Sequence, residues 1–151
     1  MTTAIIATPL GHLKLTVTDN AVTECLWTTE KISRDSQNSL LHEMNAQLQA
    51  YFSGKLKQFD LPLAPHGTEF QQSVWQQLQK IPYGKTCSYQ DVAIAIHNQK
   101  AVRAVGMANG KNPICVIIPC HRVIYASQKI GGYSGGVHYK EKLLALENRF
   151  I

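Results

Sequence analysis

The sequence has no apolar run that approaches the ~18 residues needed to span a membrane as a helix. Its first nine residues have neither the basic start nor the long apolar core of a secretory signal peptide. Internal repeats and low-complexity stretches are absent as well. These absences argue against a membrane protein, a secreted protein and a repeat protein, so we expect a cytoplasmic globular protein.

Paired cysteines are also lacking. The four cysteines at positions 25, 87, 115 and 120 form no Cys-x-x-Cys pair and have no zinc-finger spacing with histidines. We therefore expect reduced thiols. The glycine-rich stretch at residues 131–136 lacks the lysine and the spacing of a phosphate-binding loop, which excludes nucleotide binding there. No cofactor is expected.

The length of 151 residues favours one domain or two small lobes, and a proline-rich stretch at residues 61–67 marks a boundary between lobes. Before it, apolar runs separated by turn signals predict an antiparallel meander, followed by a polar loop at residues 28–39 and an amphipathic helix. The predicted strands cover residues 4–7, 13–17 and 22–27, and the helix covers residues 40–52.

Helical patterns dominate the second lobe. Thr68 and Ser88 are good N-caps for helices at residues 69–81 and 89–96, and further helices are predicted at residues 100–110 and 137–147. Two short helices separated by a tight break suggest a helix-turn-helix. Together with the formal net charge of +5, this pattern favours a polyanionic partner.

The helix at residues 100–110 has a face of small residues. Ala101, Ala104 and Ala108 lie close together on the helical wheel, and Gly106 is also small, whereas Arg103 projects away from the alanines. Such a face permits either tight packing in a core or close approach to a DNA groove.

The most reactive-looking stretch is residues 117–124. An apolar run at residues 115–118 predicts a buried strand that ends at Pro119 and presents Cys120 at a fixed place. A neighbouring cation or histidine lowers the pKa of a thiol, and His121 and Arg122 follow at once. The alternative is an inert buried cysteine. Glu147 lies near the end of the last predicted helix, where a carboxylate is unfavourable unless it has a specific partner.

Five short phrases stand out between about residues 69 and 147. They are Thr-Cys-Ser-Tyr-Gln at 86–90, Ala-Val-Arg-Ala-Val-Gly at 101–106, Asn-Pro at 112–113, Ile-Pro-Cys-His-Arg-Val at 118–123 and Gly-Tyr-Ser-Gly-Gly at 132–136. In content and order they resemble the O6-alkylguanine-DNA alkyltransferase family of self-sacrificing repair proteins, and Pro-Cys-His-Arg-Val is the most specific of them. The resemblance implies an α/β (α+β) protein, with a ribonuclease-H-like domain at residues 1–64 and a winged-helix-like DNA-binding and alkyl-acceptor domain at residues 65–151.

The resemblance also implies roles for individual residues. Cys120 takes the alkyl group from O6 of guanine, and from O4 of thymine, and the protein is thereby inactivated. His121 acts as the base through a water molecule, and Glu147 orients His121. Tyr89 donates to the leaving base, and Asn112 braces the turn between the recognition helix and the active-site strand.

For the partner, the resemblance implies a monomer that binds double-stranded DNA through the minor groove with its recognition helix. Arg103 fills the place in the stack that the lesion vacates. Some family members bind zinc in the first lobe, but Cys25 has no matching ligand set, so we predict no metal. The other implied DNA contacts are Ala101, Ala104, Gly106, Gln90, Asn98 and Gln71, and the implied walls of the base pocket are Val123, Tyr133, Ser134 and Gly135.

Two further hypotheses remain open at this point. A sister group binds alkylated DNA without transfer and has tryptophan at the nucleophile position, whereas this chain has Cys120. A thiol hydrolase that uses Cys120 and His121 is the other alternative, although adjacent residues rarely hydrogen-bond directly to each other.

Overall fold

The computed structural model describes residues 1–33 and 37–151. Within them the chain divides into two compact units. The first contains Met1–Pro65 together with Pro113–Ile117, and the second contains His66–Asn112 and Ile118–Ile151. None of the helices in the described part of the chain is both long enough and apolar enough to cross a membrane.

The first unit is a three-stranded antiparallel sheet with one helix. Strands β1 (Thr2–Thr8), β2 (Gly11–Thr18) and β3 (Ala21–Thr28) pair in sequence order, and helix α1 (Ser39–Phe52) follows. Asp19 and Asn20 both have positive φ angles, 52° and 62°, as a tight hairpin turn between twisted strands requires. The predicted meander and helix are confirmed. Residues 34–36 of the predicted loop lie outside the described residues.

The second unit is mainly helical. The elements of this unit are α2 (Glu69–Leu78), β4 (Cys87–Ser88), α3 (Tyr89–Ala95), α4 (Val102–Gly110), a short 3₁₀ turn (Cys120–Arg122), β5 (Val123–Ile124) and α5 (Val137–Phe150). Thr68 and Ser88 each close a capping box with the residue three positions later, which fixes the starts of α2 and α3. The break before α4 contains His97 with a φ of 61°.

Helix α4 packs on α2 and α3 through one side and leaves the other side open. Val105, Ala108 and Asn109 are buried, and the indole of Trp75 in α2 donates to the carbonyl of Ala108 at 2.8 Å. Arg103 and Ala104 are exposed. The alanines that were predicted to share one face therefore differ in burial, because Ala108 lies in the core and Ala104 lies at the surface.

The predicted strand at residues 115–118 is wrong, and so is the placement of Cys115 within it. Ile114 forms one isolated bridge with Cys25, after which the backbone turns instead of continuing a ladder. Val116 has a φ of 72°, and the N–H of Ile117 donates to the carbonyl of Cys115 at 2.8 Å, which is a γ-turn.

A second tight turn follows at Pro119. Its φ of −81° and ψ of 65° close an inverse γ-turn, in which the N–H of Cys120 donates to the carbonyl of Ile118 at 2.8 Å. Cys120 therefore begins a 3₁₀ turn and does not end a strand. Residues 114–118 are all buried, so their apolar pattern indicated burial correctly and conformation incorrectly.

Candidate active site

Glu147 is the hub of the buried polar cluster in the second unit. Its Oε2 accepts from His121 Nε2 at 2.7 Å and from Arg122 Nη2 at 2.9 Å. Its Oε1 accepts from Arg122 Nε at 2.9 Å and from the backbone N–H of Gly84 at 3.2 Å. Burial alone would raise the pKa of Glu147, but the hydrogen bonds from His121 and Arg122 and the charge of Arg122 hold it well below its usual value. Glu147 is therefore ionised, and hydrogen-bond donors surround both of its oxygens.

His121 is fully buried, and its two ring nitrogens have different roles. Because the Glu147 carboxylate can only accept, Nε2 carries the proton that joins them. Nδ1 is then the nitrogen with a lone pair, and it has no hydrogen-bond partner within the described residues. Burial lowers the pKa of His121, with Arg122 and Lys140 acting in the same direction and Glu147 opposing them. The imidazole is thus neutral at neutral pH and can accept a proton at Nδ1.

Arg122 serves Glu147 and not the thiol. Besides its two bonds to that carboxylate, its Nη1 donates to the carbonyl of Ile81 at 2.7 Å. Its guanidinium also lies 5.7 Å from the centre of the Tyr83 ring. The arginine two residues after Cys120 in sequence therefore holds the His121–Glu147 pair in place.

Lys140 is a buried cation that the sequence analysis missed. Its ammonium donates to the carbonyls of Val123 at 2.5 Å and Gly132 at 3.2 Å, and to the hydroxyl of Tyr89 at 3.3 Å. Burial lowers the pKa of Lys140 to about 8, against the opposing charge of the Cys120 thiolate. The signal was its spacing, because Lys140 lies three residues before buried Leu143 and seven before Glu147, which is one face of a helix.

Tyr89, the first residue of α3, is 6% exposed. Burial raises the pKa of Tyr89 to about 12, helped by Tyr125 and by the charge of Cys120. Tyr89 is thus a phenol at neutral pH. Since Lys140 donates to its oxygen, the single proton of the hydroxyl is left to point elsewhere.

Two buried amides hold the backbone around the nucleophile. Asn112 Nδ2 donates to the carbonyl of Ile118 at 2.8 Å, and Asn109 Nδ2 donates to the carbonyl of Cys120 at 3.2 Å. Cys120 itself is 1% exposed. Asn109 was not predicted from the sequence, where a polar residue in an exposed-looking helix carries no signal for burial.

A cavity of about 790 Å³ opens beside these groups, which is within the usual size range of small-ligand sites. Four of the eleven predicted pocket and DNA-contact residues line this cavity, namely Arg103, Gly106, Tyr133 and Ser134. Val123 is fully buried, and its carbonyl accepts a hydrogen bond from the ammonium of Lys140. The cavity wall includes Tyr89, Arg103, Gly106, Tyr125, Tyr133 and Ser134.

The other predicted DNA-contact residues, and Gly135 of the predicted pocket wall, lie outside the cavity lining. Gln90 and Asn98 are exposed, Ala101 and Gly135 are partly exposed, and Ala104 is exposed. The side-chain oxygen of Gln71 accepts from the N–H of Thr68 at 2.9 Å and so forms part of the capping box of α2.

Comparison with known proteins places the chain in a family. The family model described as "6-O-methylguanine DNA methyltransferase, DNA binding domain" matches residues 69–149. The model described as "6-O-methylguanine DNA methyltransferase, ribonuclease-like domain" matches residues 1–65. The chain belongs to the 6-O-methylguanine DNA methyltransferase family. The expected pair of a ribonuclease-like first domain and a DNA-binding second domain is thereby confirmed.

Relatives within the family cover most of the chain. The methylated-DNA–protein-cysteine methyltransferase of Methanosarcina acetivorans is 58% identical over 105 residues, which are 70% of this chain and 67% of the relative. That of Methanosarcina mazei is 55% identical over 119 residues, 78% of this chain and 75% of the relative. The crystal structure of Mycobacterium tuberculosis OGT in complex with DNA has a TM-score of 0.89 and 44% identity, and the match covers 97% of this chain and 92% of that one.

Proposed function

We propose that this chain repairs DNA by moving an alkyl group from O6 of guanine, or from O4 of thymine, to the sulfur of Cys120. The observation that carries the proposal is the neutral His121, which is held by Glu147 through one nitrogen and offers a lone pair at the other. The reaction consumes the protein, because the thioether that forms offers no route back to the thiol. We also propose a cytoplasmic monomer, with domains at residues 1–64 and 65–151.

The first step prepares the nucleophile. A water molecule bridges the Cys120 thiol and Nδ1 of His121, and the thiol proton passes through it to the imidazole. Glu147 favours the imidazolium that forms, as the carboxylate of a catalytic triad does. Arg122 keeps Glu147 ionised and in place. This division of roles explains why Arg122, two residues after the nucleophile, faces the carboxylate and not the thiol.

The second step is a displacement at the alkyl carbon. The thiolate forms the new S–C bond, the C–O6 bond breaks, and its electron pair passes into the purine. The guanine anion takes a proton from water and becomes neutral, and the imidazolium of His121 returns the thiol's proton to water. Tyr89 donates a hydrogen bond to the ring as charge develops there, because Lys140 occupies its oxygen and leaves its proton directed to the base. Asn112 keeps the turn before Cys120 rigid.

DNA presents the lesion to this buried thiol only after the base leaves the duplex. We propose that α4 lies in the minor groove, where Ala101, Ala104 and Gly106 permit close approach and Arg103 enters the vacated stack. Val123, Tyr133, Ser134 and Gly135 form walls of the base pocket. Gln90, Asn98 and Gln71 contact the sugar–phosphate backbone.

Intact mass spectrometry after incubation with DNA that contains O6-methylguanine tests the proposal. We expect one methyl group per chain, located on the peptide that contains Cys120, and no further turnover. Cys120→Ala should abolish transfer and keep DNA binding, because phosphate contacts dominate affinity. An unmodified Cys120 in the wild type would refute alkyl transfer and leave binding without transfer as the function. Loss of binding in Cys120→Ala would contradict the separation of the two roles.

A further inference from the structure

Tyr125 has no part in the proposed reaction, yet its position is unusual. It is 52% exposed, and its ring lies at the mouth of the 790 Å³ cavity. Its hydroxyl makes no hydrogen bond to any other described residue. A large aromatic ring exposed beside a ligand cavity is typical of a binding contact, because it offers area at a low entropic cost.

The ring is held firmly despite its exposure. Its centre lies 5.0 Å from that of the Tyr89 ring at an interplanar angle of 50°. The N–H of Tyr125 donates to the carbonyl of Lys129 at 2.8 Å, and its own carbonyl accepts from the N–H of Gln128 at 2.8 Å. Gly131 has a φ of 80°, and a Cβ there would lie 3.3 Å from the Tyr125 ring and 2.6 Å from the Tyr89 hydroxyl. The two rings are therefore packed as a pair.

The exposure of the site residues indicates what Tyr125 meets, since Tyr89 and Tyr125 both line the cavity and Cys120 is buried outside its lining. Exposure rises from 1% at Cys120 to 6% at Tyr89 and 52% at Tyr125. In the proposed reaction the alkyl group is at Cys120 and the base is at Tyr89. The parts of the nucleotide that remain toward solvent are the deoxyribose and its phosphates, and these are what an outer ring would contact.

We infer that Tyr125 holds the sugar–phosphate of the extruded nucleotide, with its ring against the deoxyribose and its hydroxyl donating to a phosphate oxygen. The cation Lys100 lines the same cavity and suits an anion at its mouth. This inference rests on the proposed alkyl transfer and adds a residue that distinguishes a lesion in DNA from a free base.

The test compares two substrates with the same base and alkyl group. One is free O6-benzylguanine, and the other is a single-stranded oligonucleotide with one O6-benzylguanine, which needs no extrusion from a duplex. The rate at which each alkylates Cys120 is followed by intact mass. Tyr125→Phe should lower the ratio of oligonucleotide rate to free-base rate about tenfold, the size expected when a hydrogen bond to a charged group is lost. Tyr125→Ala should lower the ratio further.

Ile94→Ala is the matched control, because Ile94 is 50% exposed on α3 and is absent from the lining of this cavity. It should leave the ratio unchanged. An equal fall in both rates for the Tyr125 variants would overturn the inference, since it would show that Tyr125 acts through Tyr89. An unchanged ratio would overturn it too. Failure of the wild type to react with either substrate would instead refute the proposed function, and this inference with it.

Discussion

At the scale of single residues, Glu147 carries both stability and chemistry. Glu147→Gln leaves Arg122 buried without its countercharge, so we expect the free energy of unfolding to fall by about 3–5 kcal/mol. Urea unfolding at neutral pH measures the change. Glu141→Gln, on an exposed part of the same helix, is the control and should change little. Equal effects of the two substitutions would contradict the role of the cluster.

The same carboxylate predicts a pH dependence. Its folded pKa lies below the ordinary value of 4.5, so its stabilisation is fully present above that pH. The stabilisation is lost as the pH falls through the acid range, because the unfolded chain binds the proton more readily. The wild type should therefore lose stability below about pH 4.5 more steeply than Glu147→Gln does.

Lys140 and Tyr89 should act as one unit. Removing the ammonium in Lys140→Met frees the Tyr89 oxygen to accept from other donors, so transfer should slow on the order of tenfold. Tyr89→Phe removes the hydroxyl itself. If Lys140 works through that hydroxyl, the double variant should be no slower than the slower single variant.

Single-turnover rates of Cys120 alkylation provide the measurement for this cycle. Lys142→Met, a charge removal at an exposed position of the same helix, is the control. Simple addition of the two single effects would show that Lys140 acts independently of Tyr89.

Sequence reasoning identified Cys120, His121 and Glu147 because their residue types suit one reaction and because a family phrase contains the first two. It overlooked Lys140, since a lysine is usually solvated and only its neighbours Val123, Gly132 and Tyr89 make burial possible. Those neighbours are 8 to 51 residues away in sequence, and no local pattern records them.

At the scale of elements, α4 has a buried side and an exposed side, and we propose that the exposed side faces DNA. Arg103→Ala should slow repair of O6-benzylguanine in duplex DNA at least tenfold, because extrusion of the base costs a few kcal/mol that the arginine offsets. Reaction with free O6-benzylguanine should be unaffected by this loss.

Lys111→Ala removes the same charge from an exposed position just after α4 and serves as the control. It should weaken duplex binding slightly and leave the ratio of the duplex rate to the free-base rate unchanged. Equal losses on duplex and free base for Arg103→Ala would remove its role in the stack.

The elements differ in how far sequence determines them. The capped helices and the meander were predictable because caps, turns and apolar periods are local signals. The turn before Cys120 was not, because Val116 adopts a positive φ that β-branched residues avoid. Only the surrounding core makes that conformation favourable, and an apolar run looks the same in a strand and in a buried turn.

At the scale of the whole molecule, a domain boundary predicted from sequence is a single position in the chain. A folded unit, in contrast, can include segments from both sides of that position. The predicted boundary follows residue 64, but residues 113–117 group with the first unit because Cys25 exchanges backbone hydrogen bonds with Pro113 and Cys115. This pairing joins segments almost ninety residues apart. A local change in amino-acid composition, which predicted the boundary, cannot reveal it.

The burial of the other thiols has a consequence for how the protein would behave as a population. Cys25 and Cys115 are buried, burial raises the pKa of Cys25, and burial raises that of Cys87 to about 11. The thiols of Cys25 and Cys87 thus stay protonated, whereas the proposed reaction activates Cys120. Under the proposed reaction, each molecule reacts once and irreversibly. The reacted fraction of a sample therefore measures the alkylation that its DNA has received.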